Sequence, residues 1–397
     1  MGKIKDANEA KLAGKKPKDR PFKKEDASKK PGDVAAAPLP FEQKRPTTFG
    51  ELEPSVDARL ERRAKGVEKP VPVPFPTLAA QMGGGWWPGV YMLVGGTGTG
   101  KSQLALQLAL AAARAGSPAA YVGLELDELQ LGTRVKALAA HEDTGKAVFW
   151  SHLYYGEEKA PRTAPGDWKK RLHLLAASPY SWSDLDLLDL GKFIRETYPE
   201  KTPGAHPFLL IVDFLQLVTG ANAGGRTLDL RERIGRAAYA AAEVARDQNA
   251  AVLLVSSTAR EHYTFDKAKG GKNKKDSDTE SGGFGVDDPR QYIGMGKESG
   301  EIEYSAHNLM VLGERSESSP SANGGLRHVA LAFAKTRALS KKAGSRRYVD
   351  LTFDGTLFRE DKAAITRRAK LDGGAPAKDP EPPRRPAARK EGPRAHL

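Results

Sequence analysis

An α/β fold with a mostly parallel central sheet is predicted by three features of this 397-residue chain. Apolar runs of strand length recur along it, helix-like stretches separate them, and a glycine-rich turn joins the first run to a long helical segment. The runs are VYMLVG (90–95), AAYVGLEL (119–126), FLLIVDFLQLV (208–218), AAVLLVSS (250–257) and HVALAFA (328–334). Their near-continuous apolar character is that of strands covered on both faces, as in parallel sheets. A single α/β domain of about 280 residues, 77–361, lies within the size a single core supports.

Upstream of that domain, a short amphipathic helix is predicted over 55–65. Ser55 serves as its N-cap, Val56, Leu60 and Ala64 share a face, and Gly66 ends it. The run KPVPVPFP (69–76) follows as an extended linker, because proline fixes φ and restrains the residue before it. Residues 55–76 therefore read as a linker region. The termini differ in composition. Residues 1–47 hold 13 Lys+Arg against 7 Asp+Glu, and residues 362–397 hold 10 against 4, so nearly all of the net +13 resides there. Both stretches are poor in aromatics and are expected to be disordered basic tails, 1–54 and 362–397. Their charge serves either solubility or attraction to a polyanion such as DNA.

Several chemistries are excluded. The chain has no Cys, so disulfide scaffolds, thiol catalysis and Cys-based zinc sites are absent. Its eight His show no H-x-x-x-H spacing. No apolar run is long enough to span a bilayer and the N-terminus lacks an apolar signal core, so a cytoplasmic protein with no membrane partner is expected.

The chemistry begins at residue 95. Gly95-Gly96-Thr97-Gly98-Thr99-Gly100-Lys101-Ser102 fits G-x-x-x-x-G-K-[ST] between a strand and a helix that opens with Gln103. Glycines let backbone N–H groups close around phosphate oxygens, and the helix N-terminus adds positive potential. Residues 95–103 are thus the candidate nucleotide-binding segment for ATP. Lys101 can reach the β- and γ-phosphates, and the Ser102 hydroxyl can hold Mg²⁺. Asp213 ends the apolar run 208–212, where a supporting carboxylate for that metal is required. Taken alone, an Asp there is as often a turn initiator. Glu125 closes the run after the P-loop helix and is the candidate to activate water.

With these residues in order, the chain resembles the ATPase domain of the DnaB-type replicative helicases, within the RecA-like P-loop ATPases. The family's S-L-E-M corresponds to V-G-L-E-L with Glu125, and its D-Y-L-Q-L to Asp213-Phe214-Leu215-Gln216-Leu217. Its arginine-rich helix resembles 231–250, and its L-S-Q-L-N-R resembles Val255-Ser256-Ser257-Thr258-Ala259-Arg260. Its R-E-S-G-x-I-E-Q-D-A-D resembles 297–307, and its K-x-R matches Lys335-Thr336-Arg337.

The resemblance implies a hexameric ring in DNA replication, with Lys335 and Arg337 completing catalysis at the neighbour's γ-phosphate. It implies single-stranded DNA as partner, a loader protein, and a linker helix that grips the next subunit. Two departures stand out: the usual helical N-terminal domain is replaced by a basic arm, and Ser257 occupies the position of a family glutamine. His307, near the family's acidic position, reads as structural. DNA contact is expected from Arg226 in the Gly-rich segment 219–229. The second source is Lys267, Lys269, Lys272, Lys274 and Lys275 in the long segment 261–290. A solvated insertion is the competing reading for those lysines. The aromatic-rich segment 141–207 and the Trp86-Trp87-Pro88 turn read as packing elements. A RecA- or RadA-like recombination ATPase, and a P-loop ATPase acting on a protein partner, are the other readings open at this point.

Overall fold

The computed structural model describes residues 47–159, 161–179, 181–200, 206–219, 228–257, 306–314, 325–337 and 348–371. Two compact units are distinguished, Met1–Ala58 and Arg59–Leu397, and the sheet and its covering helices all belong to the second.

Among the described residues, nine strands form one sheet. They are β1 (Gly89–Gly95), β2 (Ala119–Gly123), β3 (Leu172–Ala176), β4 (Phe208–Asp213), β5 (Ala250–Ser257), β6 (Asn308–Glu314), β7 (Arg327–Thr336), β8 (Tyr348–Phe353) and β9 (Phe358–Glu360). Their order is β3-β2-β4-β5-β1-β6-β7-β8-β9. The pairings from β3 through to β6 are parallel, and β6-β7, β7-β8 and β8-β9 are antiparallel. Each of the five apolar runs holds a strand of this sheet, although β2 and β4 end at Gly123 and Asp213, before their runs do. The antiparallel margin, with β6, β8 and β9, was not anticipated, nor was the edge strand β3. Edge strand β3 is only half buried and its LHLLA has no alternation, so it carries little strand signal.

Pleating explains how the sheet is covered. Along β1, Val90, Met92 and Val94 point to one face and Tyr91 and Leu93 to the other. β4 and β5 divide in the same way. The first face packs on α7 (Asp184–Thr197) and α8 (Leu230–Asp247) through Leu187, Ile194, Ile234 and Val244. The second packs on α3 (Lys101–Arg114) and α4 (Glu128–Thr144) through Leu104, Leu108, Leu131 and Val135. Helix starts are specified locally: Asp127 with Gln130, Ser183 with Asp186, and Asp229 with Glu232 each form a reciprocal capping box. Such a cap stabilises a helix by roughly 0.5–2 kcal/mol. Among the described residues no helix is long and apolar enough to cross a membrane.

The N-terminal helix differs from expectation. α1 spans Phe49–Ala64 and so starts earlier than Ser55. The Thr48 N–H donates to Glu51 Oε2 at 2.8 Å and the Glu51 N–H to Thr48 Oγ1 at 3.4 Å, a capping pair that sets the earlier start. Ser55 lies inside the helix, its hydroxyl donating to the Leu52 carbonyl. Gly66, at φ +66°, does end it, and the Val67 N–H returns to the Arg62 carbonyl at 2.9 Å. At the other terminus, α9 (Lys362–Leu371) occupies the first ten residues of the stretch expected to be disordered. Asp361 caps it by accepting from the Ala364 N–H at 2.9 Å. The two remaining short helices that matter below are α5 (Trp150–Tyr154) and α6 (Trp168–Arg171); α2 (Pro76–Gln81) covers one end of the second core face.

The P-loop helix is tied to the antiparallel margin by two buried glutamines. Gln107 Nε2 donates to the Phe358 carbonyl and its Oε1 accepts from the Phe358 N–H, both at 2.9 Å. Gln103 Nε2 donates to the Thr356 carbonyl at 2.7 Å. Gln107→Leu keeps the volume but leaves a buried donor and acceptor of Phe358 without partners, each costing about 1–3 kcal/mol. It should therefore lower unfolding free energy in denaturant by about 2–4 kcal/mol. An unchanged midpoint would show that this tie contributes nothing.

Candidate nucleotide site

The carboxyl ends of β1, β2, β4 and β5 lie side by side, as the register Gly123↔Asp213↔Val255↔Leu93 requires. In open α/β sheets this edge is where ligands bind. The P-loop leaves β1 here. Gly98 and Gly100 take φ of +77° and +93°, and a Cβ on Gly100 would sit 2.8 Å from the Phe358 ring. Both demands select glycine. Thr97 and Gly98 are exposed at the tip, whereas Thr99 is buried with its hydroxyl on the Gly96 carbonyl at 2.9 Å. Lys101 Nζ donates to that same carbonyl at 2.7 Å, so the ammonium lies across the mouth of the loop.

Asp213 ends β4 and is only 6% exposed. Its Oδ2 accepts the Tyr121 hydroxyl, and the Ser102 hydroxyl also hydrogen-bonds to it. Burial raises the Asp213 pKa above the ordinary carboxylate value, against the lowering effects of those two hydroxyls and of Lys101 and Arg134. Glu125 lies two residues beyond β2 and is exposed. Partial desolvation raises its pKa first, then the Asp213 charge; Lys101 and Arg134 pull it down. Lys101, Ser102, Asp213 and Glu125, chosen from separate stretches of sequence, are thus brought to one edge of the sheet. A hydroxyl hydrogen-bonded to a buried carboxylate is an oxygen donor set that fits Mg²⁺, which binds through few protein ligands and keeps waters and phosphates. No group of three or more His, Cys, Asp or Glu side chains that could hold a metal ion occurs among the described residues.

Three residues at this edge carried no signal in the sequence. Arg134 lies on α4 and interacts electrostatically with Tyr121, Asp213 and Glu125. Burial penalises its charge, and those three groups oppose that penalty. Tyr121 is buried, and its hydroxyl is pushed far above the usual phenol range by desolvation and by Asp213. Arg327 starts β7; its Nη1 donates to the Gly98 carbonyl at 3.0 Å while Nε and Nη2 hold Glu314 Oε1. An arginine on an amphipathic helix or at a strand start looks like any solvated charge.

Other candidates are placed elsewhere. The Gln103 side chain is buried against Thr356 and turned away from the loop mouth, so its amide is a packing group. Arg337 stands at the opposite edge of the sheet from the P-loop, while Lys335 pairs with Leu309, itself opposite Met92 in the middle of β1. Thr336 pairs with Asn308 and Asn308 with Tyr91, and the Arg337 N–H donates to the His307 carbonyl at 2.9 Å. Five residue steps along β1, about 15–20 Å, separate that edge from Gly95. His307 is structural: its Nδ1 accepts from the Val90 N–H at 3.3 Å and its own N–H donates to the Val90 carbonyl at 2.7 Å. Burial, then Arg337 and Lys335, push its pKa down. Ser257 ends β5, and the Gln216 amide reaches that strand end, donating to Ser256 Oγ at 2.7 Å. Arg226, Lys267, Lys269, Lys272, Lys274 and Lys275 lie outside the described residues.

A buried carboxylate whose folded pKa is raised binds its proton more tightly than in the unfolded chain. Its ionised form therefore weakens the fold increasingly as pH rises past the unfolded value. Asp213→Asn removes that charge and keeps an acceptor for Tyr121. In chelator at neutral pH the variant should gain about 1 kcal/mol of stability, seen as a higher unfolding temperature. A lower one would mean that the carboxylate is held favourably.

Comparisons with known proteins bear on the fold. No family model matches the chain, and no curated protein matches it either. Among solved structures, the ATPase domain of G40P superposes with a TM-score of 0.55 at 18% identity, over 79% of this chain and 98% of that one. A DnaB-like replicative helicase, in a structure described together with its interactions with primase, gives 0.54 at 17% identity. That match covers 77% of this chain and 66% of the other, just short of two thirds of its length. The chain has the RecA-like α/β fold of these helicase ATPase domains.

Proposed function

We propose that the chain is an ATP-hydrolysing DNA motor that assembles into a ring, most simply a hexamer, and translocates on single-stranded DNA. The observation that carries the ATPase part is the meeting of the P-loop, Lys101, the Ser102–Asp213 pair and Glu125 at one sheet edge. Backbone N–H groups of the loop would cradle the phosphates and Lys101 would neutralise them. Ser102 and Asp213 would hold Mg²⁺, which would supply neutralisation of phosphate charge. Glu125, with its carboxylate made more basic by its surroundings, would orient and deprotonate the attacking water.

Assembly is supported by two features. Arg337 stands at the edge of the sheet remote from its own P-loop, which favours its acting, with Lys335 two residues before it, as a transition-state cation for another copy. Helix α1 buries none of its residues, and Phe49, Leu52, Val56 and Leu60 recur at 3–4-residue spacing with 38–70% exposure, an apolar stripe that a neighbouring copy would cover. The lysines at 267–275 and Arg226 supply the proposed DNA contact, with phosphate tracking rather than base reading. A loader protein and a place in DNA replication belong to the same proposal.

ATP turnover should rise several-fold on adding a single-stranded oligonucleotide at moderate salt, and a forked duplex should then be unwound. Turnover indifferent to DNA would turn the reading toward an ATPase acting on a protein partner; strand exchange without unwinding would favour a recombination ATPase. Arg337→Ala should bind ATP nearly as the wild type does and lose turnover by about 10³-fold or more. Added to the wild type, it should depress activity beyond simple dilution. A variant that hydrolyses normally would remove the interface role.

A further inference from the structure

The aromatic segment after α4 reaches the candidate site through one contact. The Arg134 guanidinium lies 4.1 Å from the centroid of the Trp150 ring. The same guanidinium interacts electrostatically with Glu125 and Asp213, and its Nε is buried without a hydrogen-bond partner. Trp150 is half buried and belongs to neither main core cluster, so filling the interior is not its principal contribution. Its nearest aromatic neighbour is Tyr154, edge-on at 6.1 Å.

Helix α5, which Trp150 opens, is itself anchored. The Val148 carbonyl accepts the Thr356 hydroxyl at 2.8 Å, and the Phe149 ring lies where a Cβ on Gly355 would come within 3.3 Å. The same turn gives the Thr356 carbonyl to Gln103 on the P-loop helix. Indole, guanidinium and P-loop helix are therefore referenced to one rigid corner between β8 and β9. An unstacked arginine side chain carries about 2 kcal/mol of rotamer entropy, and a ring face beneath it restricts the guanidinium while leaving its N–H edge available.

We propose that Trp150 is a positioning residue for nucleotide hydrolysis, acting through Arg134: the indole holds the guanidinium beside Glu125 and Asp213, facing the phosphate end of a nucleotide in the P-loop. This rests on the ATPase reading above. Trp150 touches no substrate, so its removal acts on the chemical step rather than on binding.

The test is a double-substitution cycle on the full chain, reading ATP turnover together with affinity for a non-hydrolysable ATP analogue by calorimetry. Trp150→Ala should lower kcat about tenfold with analogue affinity within twofold of the wild type. Trp150→Phe should restore most of the rate, and Trp150→Leu, apolar but without a π face, should not. In an Arg134→Ala background, Trp150→Ala should have no further effect. Wild-type kcat in Trp150→Ala, rescue by Leu equal to that by Phe, or equal loss in the Arg134→Ala background would each overturn the inference. A wild-type chain that binds the analogue but shows no turnover would overturn the inference with the hydrolysis step alone. One that neither binds nor hydrolyses ATP would overturn the nucleotide reading itself.

Discussion

Strand β1 is buried along its whole length, flanked by β5 and β6 in parallel, with helices on both faces. Much of the chemistry follows from that placement. A strand buried on both faces must hand its chain to a helix at one end, and the shortest way to do so with α3 folded back on the sheet is a tight turn. The turn exposes backbone N–H groups at the N-terminus of α3, where the helix macrodipole is positive. Because β2, β4 and β5 run in the same direction, their carboxyl ends deliver Glu125, Asp213 and Ser257 to the same edge. Parallel pairing is thus what turns separate stretches of sequence into one site.

The charges gathered there are costly to a folded chain. Asp213 is almost fully buried, Arg134 is partly desolvated, and Glu125 feels both Asp213 and loss of water. Burial disfavours each charge, Asp213 and Glu125 repel each other, and the attraction of Arg134 and Lys101 offsets only part of that penalty for the two carboxylates. The fold tolerates them because the rest of the domain is well paid in apolar contact: β4 and β5 are buried from end to end, apart from the half-buried Ser257. Hydroxyls from Tyr121 and Ser102 hold the Asp213 carboxylate in one orientation. A site in which charges are preorganised before substrate arrives is the arrangement from which electrostatic catalysis draws its rate.

The antiparallel margin has a different part. β7 starts beside the P-loop with Arg327 and ends at the far edge with Thr336, so a single strand links the two edges of the sheet. Through the β8–β9 turn the same margin holds α3 and α5.

How much of this was legible beforehand depends on the range of the interactions involved. The P-loop, the strand before it and the helix after it are written in consecutive residues, since glycine, lysine and serine act there through local backbone geometry. The five apolar runs were readable because a strand buried on both faces is apolar at successive positions. Asp213 and Glu125 were readable as ends of such runs. Helix starts at Thr48 and Asp361 carried local capping signals that composition outweighed. Arg134, Tyr121 and Arg327 were not legible: each meets a group far along the chain, Asp213 for the first two and Gly98 for the third, and only the strand order brings them together. The same holds for Arg337, whose residue type was visible but whose distance from its own P-loop was not. Sequence determined which residues have the chemistry. The direction and order of the strands decided which of them share an edge, because that is set by long-range pairing and leaves no local mark.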